Sequence, residues 1–100
     1  MPKVEGTYPH TMDQEQAVNV VKNAVEKLLD SFEATDTEIA DDGRDNLKFS
    51  CKSRGFSIDG KVVIKENEID VVVNLPLLAI AFKGLVKAGM DKQIPKYLGG

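Results

Sequence analysis

The chain has 100 residues, 42% of them hydrophobic and 29% charged, which makes it one domain near the lower size limit for a self-sufficient core. Its formal net charge of −3 argues against a nucleic-acid footprint, which needs a basic stripe able to neutralise phosphates. The single cysteine, Cys51, excludes an intrachain disulfide, and Met1-Pro-Lys-Val-Glu-Gly6 is no secretory leader, so the expectation is a soluble, cytoplasmic protein.

Lys3 to Tyr8 reads as a short strand, with Val4, Gly6 and Tyr8 on one side, Lys3, Glu5 and Thr7 on the other, and Pro9 closing it. Thr11 stands three residues before Gln14, the spacing of a capping box, so a helix is expected to start there. Ala17, Val20, Val21, Ala24, Leu28 and Phe32 share one helical face, with Lys22, Asn23, Glu26, Lys27 and Asp30 opposite. Glu26 and Asp30 repel weakly at i,i+4, so this helix depends on packing more than on surface pairs.

Thr37 to Ala40 is a brief strand, ended by the turn formers from Asp41 to Asn46. Leu47, Phe49 and Cys51 then alternate with Lys48, Ser50 and Lys52, as in a half-buried strand. Ser53-Arg54-Gly55 turns the chain, after which Phe56, Ile58, Gly60, Val62 and Ile64 alternate with Ser57, Asp59, Lys61, Val63 and Lys65. Glu66-Asn67 reads as a two-residue hairpin turn, with Asn67 tolerating the positive φ such turns demand. Ile69, Val71, Val73 and Leu75 line the inner face of the last strand. Antiparallel hairpins with one apolar face need a cover, and the two helices supply it. The fold class is therefore α+β: a two-layer domain over residues 1–100, its antiparallel sheet covered on one face by two helices in the order β-α-β-β-β-β-α.

The final helix is the greasiest part of the chain. Asn74 to Gly89 carries two lysines and no acid, with Pro76 suited to the first turn. Leu78, Phe82, Val86, Met90, Ile94 and Leu98 form an i,i+4 ladder that drifts about 40° per step and so can follow a twisted sheet. Beside its first half runs a second apolar row, Leu77, Ala81, Leu85 and Ala88, which is expected to be more exposed than Leu78, Phe82 and Val86. That row, with Lys83 and Lys87 nearby, is the candidate binding surface. The uncharged run from Leu75 to Phe82 is far short of the ~20 residues needed to cross a bilayer. Pro95 removes an amide and disfavours α geometry at Ile94, so regular helix is expected to be lost or bent between Asp91 and Pro95.

Charge is uneven along the chain. Glu33, Asp36, Glu38, Asp41, Asp42 and Asp45 face only Arg44, whereas from Leu77 onward Lys83, Lys87, Lys92 and Lys96 face only Asp91. No residue constellation specifies a reaction. Gly55 to Lys61 matches the first seven positions of a phosphate-binding loop, but Val62 stands where Ser or Thr must hold magnesium, and the segment alternates as a strand. With one histidine, His10, read as a surface residue, and one cysteine, Cys51, read as a small core hydrophobe, neither a His/Cys metal site nor a Cys-His nucleophile pair is expected. The spacing of Asp41, Asp42 and Asp45 misses the alternation of a calcium loop. The expectation is a protein that is not an enzyme, with no cofactor, no metal and no nucleic-acid partner.

The order of features resembles the small bacterial polyhydroxyalkanoic acid system, or granule-region, proteins. The resemblance lies in His10-Thr11 leading into a helix with Ala17, the strand around Leu47-Lys-Phe49, the segment Gly55-Phe-Ser-Ile-Asp-Gly60-Lys-Val, and Leu75 before Leu78 and Ala81-Phe-Lys-Gly84. It spans roughly Lys3 to Leu98, with Pro95 and the lack of an aromatic near Ile39 as departures. It implies association with polyester storage granules and carries no catalytic residues over. Three roles are then open: an accessory protein binding an apolar granule surface or a granule protein through Leu77, Ala81, Leu85 and Ala88; a homodimer using the same row; or a helix-grip carrier of a small apolar ligand.

Overall fold

A computed structural model describes residues 2–43 and 45–98 of the chain, so Arg44 of the acidic turn lies outside the described residues. Five strands, β1 (Lys3–Pro9), β2 (Thr35–Asp41), β3 (Asn46–Ser53), β4 (Phe56–Ile64) and β5 (Glu68–Asn74), form one antiparallel sheet in the order β1-β5-β4-β3-β2. Two helices, α1 (Gln14–Ser31) and α2 (Lys83–Tyr97), cover one face and pack on each other, with a 3₁₀ segment, Leu77–Phe82, leading into α2. This is the two-layer α+β arrangement expected from the alternating strands.

The sheet register follows the hydrophobic alternation, because a slip of one residue would turn every apolar side chain to solvent. Leu47, Phe49, Val62, Ile64, Ile69, Val71 and Val73 are all buried on the helix-covered face, while Lys48 is exposed. Phe56 and Ile58, at the open end of β4, are only half-buried. β1 closes the sheet beside β5, with Val4 opposite Val73 and Tyr8 opposite Ile69. The edge strand β2 begins two residues earlier than Thr37 and is irregular between Thr35 and Glu38, where Asp36 takes a positive φ of 51°.

The two hairpins with two-residue turns, β3–β4 and β4–β5, differ from expectation in where the backbone is left-handed. Arg54 and Gly55, with φ of 55° and 82°, form the two-residue β3–β4 turn, which is the mirror-image geometry that matches strand twist. At the β4–β5 turn the Lys65 amide donates to Glu68 O at 2.8 Å around Glu66-Asn67, but neither central residue has a positive φ. Asn67 therefore does not play the part its side chain suggested.

Helix α1 starts two residues later than the capping box proposed. Asp13, not Thr11, is the N-cap, its carboxylate accepting from the Gln16 amide at 2.8 Å, where negative charge also meets the positive end of the helix dipole. Gln14 instead donates to Ile64 O at 3.0 Å and ties the helix start to β4. The buried face is Ala17, Val21, Ala24, Val25, Leu28 and Leu29, broader than a single row because α1 meets both the sheet and α2. Val20 and Phe32 are half-buried. Gly89 of α2 leaves room for the Phe32 ring, so the helices approach closely there.

Two expectations for the C-terminal helix fail. The first is its start: Leu77–Phe82 is 3₁₀, with three residues per turn, so Pro76, Ala79 and Phe82 point inward and Ala79 is the one buried residue of the segment. Leu78, placed by 3.6-residue spacing on the buried ladder, is instead 85% exposed. The second is its end, where the loss of regular helix between Asp91 and Pro95 does not occur, since α2 runs on through Pro95 to Tyr97. Pro95 lies within the last turn, where only one helical hydrogen bond is forfeited, and buried Met90, Ile94 and Leu98 hold the helix on both sides of it.

A cluster at the β1–α2 contact predicts the pH behaviour of the fold. The Tyr8 hydroxyl donates to Asp91 Oδ1 at 2.8 Å, and Lys87 Nζ meets the same oxygen at 2.8 Å while lying over the Tyr8 ring. Burial, and then the bond to Asp91, push the Tyr8 phenol well above its ordinary value of 10.0. The bonds from Lys87 and Tyr8 hold Asp91 below its ordinary 3.8. Asp91 thus contributes stability that is present above pH 3.8 and is lost as pH falls through its lowered folded value. At the other end, the unfolded chain ionises Tyr8 above pH 10.0 while the folded chain keeps it neutral, so stability falls as pH rises. Urea melts across pH should show both slopes, and Tyr8→Phe should flatten the alkaline one. An unchanged alkaline slope in that variant would place the effect elsewhere.

Candidate functional site

The apolar row expected on the last helix lies at the surface, and the 3₁₀ segment enlarges it. Leu77 is 71% exposed, Leu78 85%, Ile80 53% and Leu85 48%. Ala81 and Ala88 are exposed as well, with Lys83 exposed and Lys87 half-buried beside them. Sequence reasoning placed Leu77, Ala81, Leu85 and Ala88 here and missed Leu78 and Ile80, because it read one continuous α-helix. The signal that could have found them is compositional: Leu77-Leu-Ala-Ile-Ala-Phe82 is apolar at every position, so some of it faces outward in any helical geometry.

Beside the patch is a small apolar pocket. It is lined by buried Leu28, Phe49, Val73 and Val86 and by the more exposed Phe56, Phe82 and Leu85, with a volume of about 30 Å³. The Phe56 and Phe82 rings lie 5.9 Å apart, and the Arg54 guanidinium sits 5.5 Å from the Phe82 ring centroid. Cys51 is buried in the wall, and burial pushes its thiol above the ordinary value. Ser53, also in the wall, donates to Phe32 O at 2.8 Å. Such a volume holds a water or two, against the several hundred Å³ of a small-molecule site. As it stands, the pocket is too small for the carrier role considered from sequence.

The rest of the molecule offers little that converges. Contrary to expectation, His10 is buried, at 5% exposure. Its Nδ1 accepts from the Met12 amide at 3.2 Å and its Nε2 bonds Lys65 O at 2.8 Å, so the ring stitches the end of β1 to the β4–β5 turn. The supposed phosphate loop, Gly55 to Lys61, is turn and strand β4. Of the acidic stretch, Asp41 pairs with Lys22 at 3.0 Å, Asp42 with Lys48 at 3.5 Å and Asp36 with Lys52 at 3.7 Å. Exposed pairs of this kind stabilise by at most about 1 kcal/mol each. Among the described residues no three His, Cys, Asp or Glu side chains are grouped to hold a metal ion, and no helix is long and apolar enough to cross a membrane.

The fold and its apolar patch define a small two-layer α+β domain with a greasy, lysine-bearing edge. Residues 5–98 match the family described as polyhydroxyalkanoic acid system protein (PHA_gran_rgn), and the chain belongs to that family. No curated protein matches it in sequence. Among solved structures it is similar to the crystal structure of TTHA0849 from Thermus thermophilus, at 14% identity and a TM-score of 0.45, over 97% of this chain and 92% of that one. That likeness is too loose to bear on the site.

Proposed function

We propose that this chain is a non-enzymatic accessory protein of the polyhydroxyalkanoic acid system that docks on the apolar surface of a polyester granule. The docking surface is Leu77, Leu78, Ile80, Ala81, Leu85 and Ala88, with Lys83 and Lys87 at its margin. The observation that carries the reading is the exposure of four large aliphatic side chains within nine residues, Leu77, Leu78, Ile80 and Leu85. Contiguous apolar surface is costly to leave in water and marks interaction sites. Burying one leucine stabilises by about 1.5–3 kcal/mol, so several buried together suffice for a stable contact even after ordering costs. The family match supports the partner: an association with polyester storage, whose surface is an apolar interface. A binding role also suits His10 and Cys51, whose reactive atoms are committed to the interior.

Co-sedimentation with native granules tests it. Wild type should pellet with the granules, and Leu78→Asp and Leu85→Asp should each weaken the apparent affinity, read from a granule titration, by about tenfold or more, the equivalent of one lost leucine contact. Leu78 lies outside the core, so its substitution should leave the melting temperature nearly unchanged. Equal pelleting of wild type and both variants would remove the patch from the interface. A concentration-dependent dimer in sedimentation velocity, dispersed by Leu78→Asp and indifferent to granules, would make a second copy of the chain the occupant.

A further inference from the structure

We propose that the small apolar pocket beside Phe82 is a binding site for a single-chain aliphatic carboxylate, its alkyl chain entering the pocket and its carboxylate held by Arg54 at the mouth. The chemistry of the lining selects the ligand. Leu28, Phe49, Val73 and Val86 present hydrocarbon, and the Ser53 hydroxyl donates its proton to Phe32 O. The wall is therefore almost wholly apolar. Arg54 is the one charged residue of the lining, and among the described residues it has no carboxylate within ion-pair distance. A left-handed two-residue turn, with φ of 55° and 82°, sets it at the hairpin tip over the Phe82 ring. A planar guanidinium beside an apolar mouth complements an anionic head on an aliphatic tail, since its fork matches a carboxylate in a bidentate pair.

The pocket must open to admit a chain, because about 30 Å³ holds no more than a water or two. The structure identifies the part that can give way. Phe82 is half-buried at the end of a 3₁₀ segment whose only buried residue is Ala79, and Leu85 beside it is already 48% exposed. Swinging that segment outward disrupts little of the core, and the incoming alkyl chain covers the faces of Phe49, Val73 and Val86 that the movement would bare. This goes beyond the granule reading: the ligand is one amphiphile in solution, and docking through the outer patch does not require it.

The test is titration of the full chain with octanoate, decanoate and decanol below their aggregation limits, following the methyl resonances of Ile58, Val73 and Val86 by NMR. Saturable shifts are expected with decanoate, and its affinity should exceed that of octanoate by up to about fourfold per added methylene. Arg54→Gln, at an exposed residue that leaves the fold intact, should weaken decanoate by about fivefold and change decanol by less than about twofold. Ala79→Leu, which fills the pocket from within, should abolish both; a melting curve checks that it folds. Leu78→Asp should impair granule binding and leave decanoate binding unchanged, so the two readings fail separately. The proposal is overturned if those methyls show no saturable shift, or if Arg54→Gln weakens decanol as much as decanoate. It is equally overturned if Leu78→Asp abolishes the shifts and Ala79→Leu does not, since the alkyl chain would then lie on the outer patch.

Discussion

Truncating Phe49 to Ala should destabilise the protein by about 3–5 kcal/mol, the usual cost of removing a buried phenylalanine ring. The ring is 3% exposed and stands on β3 between Ile39 of β2 and Gly60 of β4, on the face that the helices cover. It also walls the pocket of about 30 Å³, so its loss would enlarge a space that already exists and leave less room for collapse to close it. Urea unfolding at neutral pH should show a lower midpoint with an unchanged slope. A cost below about 1 kcal/mol, the size of an ordinary surface substitution, would mean that the ring does not fill this space.

Gly60→Ala should cost about 1–3 kcal/mol, although alanine is the better strand residue in isolation. Gly60 is buried in β4 opposite Phe49 on one side and Val73 on the other. A Cβ there would collide with the Phe49 ring and with the Val72 carbonyl oxygen. The ring can turn aside, but the carbonyl belongs to the neighbouring strand and moves only with the sheet. In the double variant Phe49→Ala/Gly60→Ala the ring conflict disappears and the backbone conflict stays, so the combined cost should be smaller than the sum of the two. A neutral or stabilising Gly60→Ala would show that the sheet has slack at this point.

The strands were legible because their signal is local and binary. Leu47, Phe49 and Cys51 against Lys48 and Lys52 admit only one inward face, and the burial of the first three follows from that alternation alone. The two-layer arrangement was legible for the same reason, since a sheet with one apolar face has to be covered. The helix ends were less so. Thr11 and Asp13 are both acceptable caps, and the choice between them is made by where β1 delivers the chain and by Gln14 reaching Ile64 O, which is a tertiary contact.

The candidate site divides along the same line. Composition alone determined that the segment from Leu77 to Leu85 carries more apolar surface than the core can take, and Leu77 and Leu85 stand exposed. The segment's period was decided only on packing: with Ala79 buried in the core it winds as 3₁₀, so Leu78 faces out where α spacing would have turned it in. His10 follows suit, since its burial depends on Lys65 O, 55 residues away in the chain. Pro95 breaks helices in the abstract, yet Met90, Ile94 and Leu98, all held in the core, keep α2 going past it. The sequence by itself determined the apolar faces, since side-chain chemistry and backbone period are local properties. Only the tertiary structure decided caps, helix type and the neighbours of single polar residues, because alternatives within a few kcal/mol of one another are separated by contacts far apart in the chain.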